Sequence, residues 1–262
     1  MPTLPPDPAL WLLSVAVYGL RALIALALLP PFASRLVPGM ARGALALAIV
    51  LPVIWRQIVE PAPLDVSALG LLLLALREAA IGLVVGLGFA AFCAGLQAAG
   101  EIIDHQTGLT FTQNLDPMNG NSTSITALFI QQIIFTVLMV AGLLLMLADA
   151  LYLSYQWWPV GKPLPSFAGQ VPLTLITQSA GIFTLALLLS GPVVLVLFVI
   201  DACAGMLNKA APQLNVFNLT LSLKSVIGLG VLALALPAIV ERSVVLLQTV
   251  AQQVRALITA GG

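Results

Sequence analysis

The residues best suited to chemistry lie in a polar stretch at 100–124, GEIIDHQTGLTFTQNLDPMNGNSTS, near the middle of an otherwise apolar chain. Glu101 and Asp104 are three positions apart, which puts them on one side of a helix if the helix continues. The chain's single histidine, His105, follows directly. Carboxylates beside an imidazole suit acid–base chemistry or metal binding, but a metal site needs further ligands at a recognisable spacing. We therefore assign no catalytic, metal or cofactor site here.

A second charged pair, Arg77–Glu78, interrupts a long apolar run. Adjacent residues point about 100° apart around a helix, so the two side chains cannot share a face. We expect each to meet a group on another helix or another chain. A buried ion pair or an interfacial position is one interpretation, and a role in the passage of ions or substrates is the other.

The composition indicates an integral membrane protein. The 262 residues are 60% hydrophobic and only 8% charged, and the mean hydropathy is +1.09. Soluble domains carry about 25% charged residues, so this chain could not cover a water-facing surface. Ten basic and ten acidic groups cancel, which leaves no basic patch for nucleic acid. Cys93 and Cys203 are expected to be small buried thiols.

Apolar runs separated by Pro, Gly and polar clusters predict an all-α fold, since backbone groups in lipid must be satisfied within each segment. Their lengths do not suit a simple set of spans. The run 43–55 is shorter than the roughly 20 residues a crossing needs, whereas 67–99 and 125–158 are longer. Loop charges give no positive-inside signal. The topology is therefore unconventional, or partner proteins hold part of the chain. The apolar runs occupy 9–30, 43–55, 67–99, 125–158, 173–200 and 226–251.

Small residues recur at every fourth position from Gly82, which predicts close packing of this helix against a neighbour. The stripe consists of Gly82, Gly86, Ala90, Ala94 and Ala98.

Two polar segments predict turns or extended structure. Asp116-Pro117, followed by Asn119-Gly120, has strong turn chemistry. Strict alternation of polar and apolar residues over 218–224 is typical of a strand. We expect Pro212 to end the preceding helix and Lys224 to begin the final one. Because a cation at a helix start is disfavoured, Lys224 should have an acidic or carbonyl partner.

Together with the patterns above, the segment at 154–159, Ser-Tyr-Gln-Trp-Trp-Pro, resembles the FliR/SctT family of type III secretion export-apparatus proteins, in its injectisome branch. The segment at 211–217, Ala-Pro-Gln-Leu-Asn-Val-Phe, followed by Lys224, is similar to the family's most specific motif, although Ser222 stands where the family usually has Pro. The other matching residues are Arg21, Pro30, Phe32, Arg42, Arg77, Glu78, Gly82, Gly86, Gly100, Asp104, Gln106, Gly108, Asp116 and Pro117.

The resemblance implies a non-enzymatic, single-copy gate subunit in the bacterial inner membrane, assembled with SctR-type and SctS-type subunits. It also implies SctU-type and SctV-type neighbours, secreted proteins as substrates, lipid contact and no cofactor. The implied fold is an SctR-like part (1–172) followed by an SctS-like hairpin (173–262), partly raised out of the bilayer plane. The alternative is a small transporter or ion channel using Arg77, Glu78 and Asp104. Candidates for subunit contacts or the gate are Arg77, Glu78, Gly82, Gly86, Asp104, Gln106, Gly108, Asp116, Pro117, Pro212, Asn215, Phe217 and Lys224.

Overall fold

The computed structural model describes residues 8–33, 37–59, 67–108, 125–161, 170–210 and 216–260. Within these ranges the chain forms helices joined by short turns and contains no strand, so the all-α prediction is confirmed. The helices are α1 (Pro8–Leu28), α2 (Pro30–Ala33), α3 (Gly39–Val59), α4 (Ala68–Thr107), α5 (Ile125–Val140), α6 (Leu143–Trp157), α7 (Gln170–Ala210) and α8 (Val216–Ala260).

Among the residues that the structure describes, three segments are long and apolar enough to cross a membrane, namely Leu69–Thr107, Gly181–Ala210 and Leu219–Thr259. The helices that carry them have 40, 41 and 45 residues. At about 1.5 Å per residue each is roughly 60 Å long, twice the ~30 Å of a hydrocarbon core. Each of these helices therefore tilts strongly or continues beyond the hydrocarbon region.

The helices do not begin and end with the apolar runs of the sequence. The apolar run 125–158 is broken at Ala141–Gly142, where Gly142 has φ +100, a left-handed conformation that glycine adopts without a steric penalty. The first part of the polar stretch is helical, because α4 continues to Thr107. The short run at 43–55 is the middle of a longer helix, α3.

The predicted strand at 218–224 was also wrong, because these residues lie inside α8. A helix satisfies its backbone groups within the segment, and this requirement outweighs seven residues of alternation in an apolar setting. Consequently Lys224 does not begin the final helix, as was predicted, but lies more than two turns inside it.

The chain divides into two compact units. The first contains α1 to α3, the first part of α4 up to Cys93, α6 and the end of α8 from Gln248. The second contains the rest of α4, α5, and most of α7 and α8. These units do not coincide with the boundary at 172/173, which stays a prediction.

In the first unit, α1 packs against α3 and against the first half of α4. A Cβ atom built on Gly82 would lie 2.5 Å from the Arg21 carbonyl oxygen, and one on Gly86 would lie 2.8 Å from the Ala25 Cα. Glycine is therefore required for the backbones to approach so closely. The close packing predicted from the small-residue spacing is confirmed at these two positions, and its partner helix is α1.

Candidate functional site

A buried charge cluster in the first unit is centred on Arg21 of α1, whose side chain is fully buried. Its Nε donates a hydrogen bond of 2.8 Å to Glu78 Oε2 of α4, and its Nη2 lies 2.7 Å from the same oxygen. Glu78 is also fully buried. A pair of this kind has little solvent to compensate either charge, so its geometry and its other hydrogen bonds determine whether it is stable.

Helix α6 and Trp158, the residue that follows it, supply further partners of Arg21. Nη1 donates to Ser154 Oγ at 3.1 Å, and Nη2 donates to the Trp158 carbonyl oxygen at 3.0 Å. The guanidinium also lies 4.1 Å from the centroid of the Tyr155 ring, within the range of a cation–π interaction. The Tyr155 hydroxyl donates to the Tyr18 carbonyl oxygen. Arg21 thereby joins α1, α4 and α6.

Arg77 reaches the same end of α6 from α4. Its Nη2 donates a hydrogen bond of 2.9 Å to the Pro159 carbonyl oxygen. Two arginines thus donate to consecutive carbonyl groups, those of Trp158 and Pro159, just beyond the last helical residue. The C-terminus of a helix carries a partial negative charge, so guanidinium groups are favoured there. The arrangement fixes where the chain leaves α6.

The expectation that Arg77 and Glu78 each meet a group on another helix or another chain is confirmed for Glu78, whereas the partner of Arg77 lies just beyond a helix. Glu78 pairs with α1, and Arg77 binds the residue that follows α6 by two positions. The interpretation of a buried ion pair is confirmed for Glu78. Whether either residue takes part in subunit contacts or in the gate stays a prediction.

A second polar cluster lies in the second unit, and Asp201 of α7 is its centre. Lys224 Nζ of α8 lies 2.8 Å from Asp201 Oδ2, and Gln106 Nε2 of α4 donates to the same oxygen at 3.0 Å. The Lys224 side chain is 9% exposed and that of Asp201 is 39% exposed. The acidic partner predicted for Lys224 is therefore found, within the same chain.

The last turn of α4 packs against α8 next to this cluster. A Cβ atom on Gly228 would lie 2.8 Å from the Thr107 Cγ2 atom, so the missing side chain makes room for Thr107. Asp104 is buried, and its carbonyl oxygen accepts a hydrogen bond from Thr107 Oγ1. Gly108 follows with φ +78, where most side chains would be strained.

Two other polar residues of the described part of this stretch, Glu101 and His105, are exposed. Glu101 accepts a hydrogen bond from Gln97 one turn earlier, and His105 is exposed on α4. The described ranges contain no group of three or more His, Cys, Asp or Glu residues that could hold a metal ion. Of the two thiols, Cys93 is buried as predicted, whereas Cys203 is exposed on α7, contrary to the prediction.

Four candidates lie outside the described residues: Asp116, Pro117, Pro212 and Asn215. The turn predicted at 116–120 lies outside them as well. Phe217 is part of α8. Their contribution to subunit contacts or to the gate stays a prediction.

Asp201 was missed by the sequence reasoning, and so were the roles of Ser154 and Tyr155. One signal could have found Asp201. It is a carboxylate at the end of an apolar run, and only a Pro-containing break lies between its helix and the helix that carries Lys224. Two opposite charges on consecutive antiparallel helices of a membrane protein are expected to pair. The contacts of Ser154 and Tyr155 with Arg21 could not be predicted from spacing, because both residues lie 133 residues or more from Arg21 in sequence.

The fold and these two clusters define an all-helical membrane protein whose intramembrane charges connect its own helices. The sequence profile described as "Bacterial export proteins, family 1" matches residues 12–250, and the chain belongs to this family. The family assignment made from the sequence is thereby confirmed.

Relatives resemble the chain over most of its length. The surface presentation of antigens protein SpaR of Salmonella typhimurium is 35% identical over 209 residues, which cover 79% of this chain and 76% of the relative. The flagellar biosynthetic protein FliR of Bacillus subtilis is 32% identical over 198 residues, 75% of each chain. The secretion system apparatus protein SsaT of Salmonella typhimurium is 29% identical over 237 residues, 87% of this chain and 88% of the relative.

Proposed function

We propose that the chain is a subunit of the export gate of a type III secretion system in the bacterial inner membrane. In this proposal it assembles with SctR-type and SctS-type subunits into a channel for unfolded substrate proteins, next to SctU-type and SctV-type components. The observation that carries the proposal is the family match across residues 12–250. The relatives' names support it, since they refer to flagellar biosynthesis, to a secretion system apparatus and, in Yersinia pestis, to translocation of Yop proteins.

The exposed apolar faces of α7 and α8 support an assembly. In their most apolar windows only 28% and 22% of residues are buried by the chain itself, against 56% in α4. Large exposed side chains include Phe183, Leu187, Leu195, Phe198 and Leu234. Apolar faces of this extent need lipid or partner subunits to cover them.

The basis for expecting partners therefore differs from the one that the sequence indicated. The small-residue stripe was expected to pack against a neighbouring helix, and the intramembrane charges were expected to meet another helix or another chain. Gly82, Gly86 and Glu78 instead find their contacts on α1 of the same chain. The exposed faces of the long helices now carry the argument.

The alternative of a small-solute transporter or ion channel receives no support from the charge clusters. Glu78 and Arg77 are engaged in holding α1 and the end of α6. Asp104 is not part of the Arg21–Glu78 cluster, because it belongs to the second compact unit. A conducting role would require mobile or hydrated charged groups, whereas the Arg21–Glu78 pair is fully buried.

The test is purification and complementation in a strain that lacks this chain. Coexpressed with SctR-type and SctS-type partners, the tagged chain should copurify with them in one detergent-stable complex, and it should restore secretion. A functional monomer that transports a small solute alone would refute the proposal.

A second experiment tests our expectation that the α7–α8 connection faces the cytoplasm. It labels the exposed position 222, as Ser222→Cys in a Cys203→Ser background. Labelling from the periplasm would contradict that placement.

A further inference from the structure

Three helices of the second unit meet at one carboxylate oxygen. Asp201 Oδ2 on α7 receives Lys224 Nζ from α8 at 2.8 Å and Gln106 Nε2 from α4 at 3.0 Å. Hydrogen bonds to a charged group are about twice as strong as neutral ones. Asp201 is the only one of the three that can accept from both others, because a protonated lysine has no acceptor. The contact between the three helices therefore depends on Asp201.

We propose that Asp201 is a positioning residue that clamps the last turn of α4 onto the α7–α8 hairpin. The polar side of the clamp is the Gln106–Asp201–Lys224 cluster. The apolar side is the Thr107 methyl group, which occupies the space left by the absent side chain of Gly228. Both contacts act on consecutive residues of α4. Together they fix the direction and register in which the chain leaves the helix at Gly108, whose φ is +78.

The burial of Lys224 explains why the clamp requires an ion pair. Lys224 is almost buried in an apolar helix, so removal of its counter-charge leaves a cation with little access to water. Such a lysine is expected to turn towards any available water, and α8 would then lose its attachment to the end of α4. Loss of Asp201 should therefore release Gln106 as well as Lys224.

The clamp can be measured by disulfide trapping within the assembled membrane complex. Thr107→Cys combined with Gly228→Cys, in a Cys203→Ser background, places two thiols at the contact. The Thr107 methyl group is one bond beyond its Cβ and lies 2.8 Å from the Gly228 Cβ position. The two Cβ atoms therefore fall within disulfide reach, which ends at about 4.5 Å. We expect efficient oxidation with Asp201 present and a severalfold slower reaction with Asp201→Ala.

Two matched variants separate the clamp from a general loss of structure. Asp201→Glu keeps the charge and should preserve most of the trapping. Asp149→Asn removes the other half-exposed aspartate on a helix, which pairs with Arg255 in the first unit, and should leave trapping unchanged. Unchanged trapping in Asp201→Ala would overturn the proposal.

Amide exchange tests the same idea without a substitution at Gly228. In Asp201→Ala, the backbone amides of 104–107 should exchange about tenfold faster, since the last turn of α4 is no longer held. Equal exchange would overturn the clamp. We also expect Asp201→Ala to reduce export at matched complex yield, and this expectation rests on the proposed function. Failure of the wild-type chain to support export would refute that function, whereas trapping and exchange report on the clamp alone.

Discussion

Arg21 and Glu78 form a salt bridge in which both side chains are fully buried, with 2.7 Å between Nη2 and Oε2, although 57 residues separate them in sequence. The pair connects α1 to α4 at the level where Gly82 lets the two backbones approach. The charge pair and the close packing therefore stabilise the same helix contact. Disruption of either should weaken it.

Replacement of Glu78 should reduce assembly before it affects export. Glu78→Gln leaves the Arg21 cation buried with no opposite charge, which costs about 3–5 kcal/mol. Glu78→Lys should be worse, because it adds a third cation beside Arg21 and Arg77. The measurement is the yield of detergent-stable complex, followed by secretion per complex.

The control for Glu78 is Asp149→Asn, which breaks the pair with Arg255. Those side chains are 48% and 55% exposed. Exposed pairs contribute only about 0.2–1 kcal/mol, so the complex yield should change little. A normal yield of the Glu78→Gln complex with lost secretion would contradict a structural role and favour a direct role in passage.

Gly82→Ala should lower the thermal stability of the complex by about 1–3 kcal/mol, since its Cβ would lie 2.5 Å from a backbone oxygen that cannot move aside. Gly191→Ala is the matched control. It is also a glycine inside a long helix, but a Cβ there meets nothing within 4 Å. Because alanine is favoured over glycine in helix interiors by about 1 kcal/mol, the control should be neutral or stabilising. Similar melting temperatures for both variants would refute the close-packing interpretation.

The contrast between Gly82 and Glu78 shows what the sequence could and could not predict. Spacing of four between small residues is a local property, so the packing face of α4 was predictable, although the identity of the partner helix was not. The partner of Glu78 could not be predicted, because Arg21 lies 57 residues away in sequence and only the tertiary structure brings the two together. The alternation over 218–224 led to a wrong prediction of a strand, because a period-2 pattern can also occur by chance in a helix. In lipid the backbone groups must form hydrogen bonds within the segment, and this requirement favours the helix.

Charge at position 224 should matter more than the shape of the side chain. Lys224→Glu places a nearly buried second carboxylate next to Asp201, and the two like charges repel each other. Lys224→Arg keeps the cation and should retain most complex and most export. Lys209→Glu, at the exposed end of α7, controls for a general effect of charge reversal on this hairpin. Equal losses in Lys224→Glu and Lys209→Glu would show that the Asp201 contact is not the cause.

Gly108 should be required for its backbone conformation and not for its small size. At φ +78 a β-branched residue is strongly disfavoured, whereas asparagine tolerates the left-handed region. Gly108→Val should therefore force the chain out of its path directly after the clamped turn of α4, while Gly108→Asn should be close to wild type. We would compare export and small-molecule leakage in cells at matched complex levels. A change in either with Gly108→Val, and neither with Gly108→Asn, is the expected result. Equal behaviour of the two variants would mean that the conformation at 108 does not set the path of the central stretch.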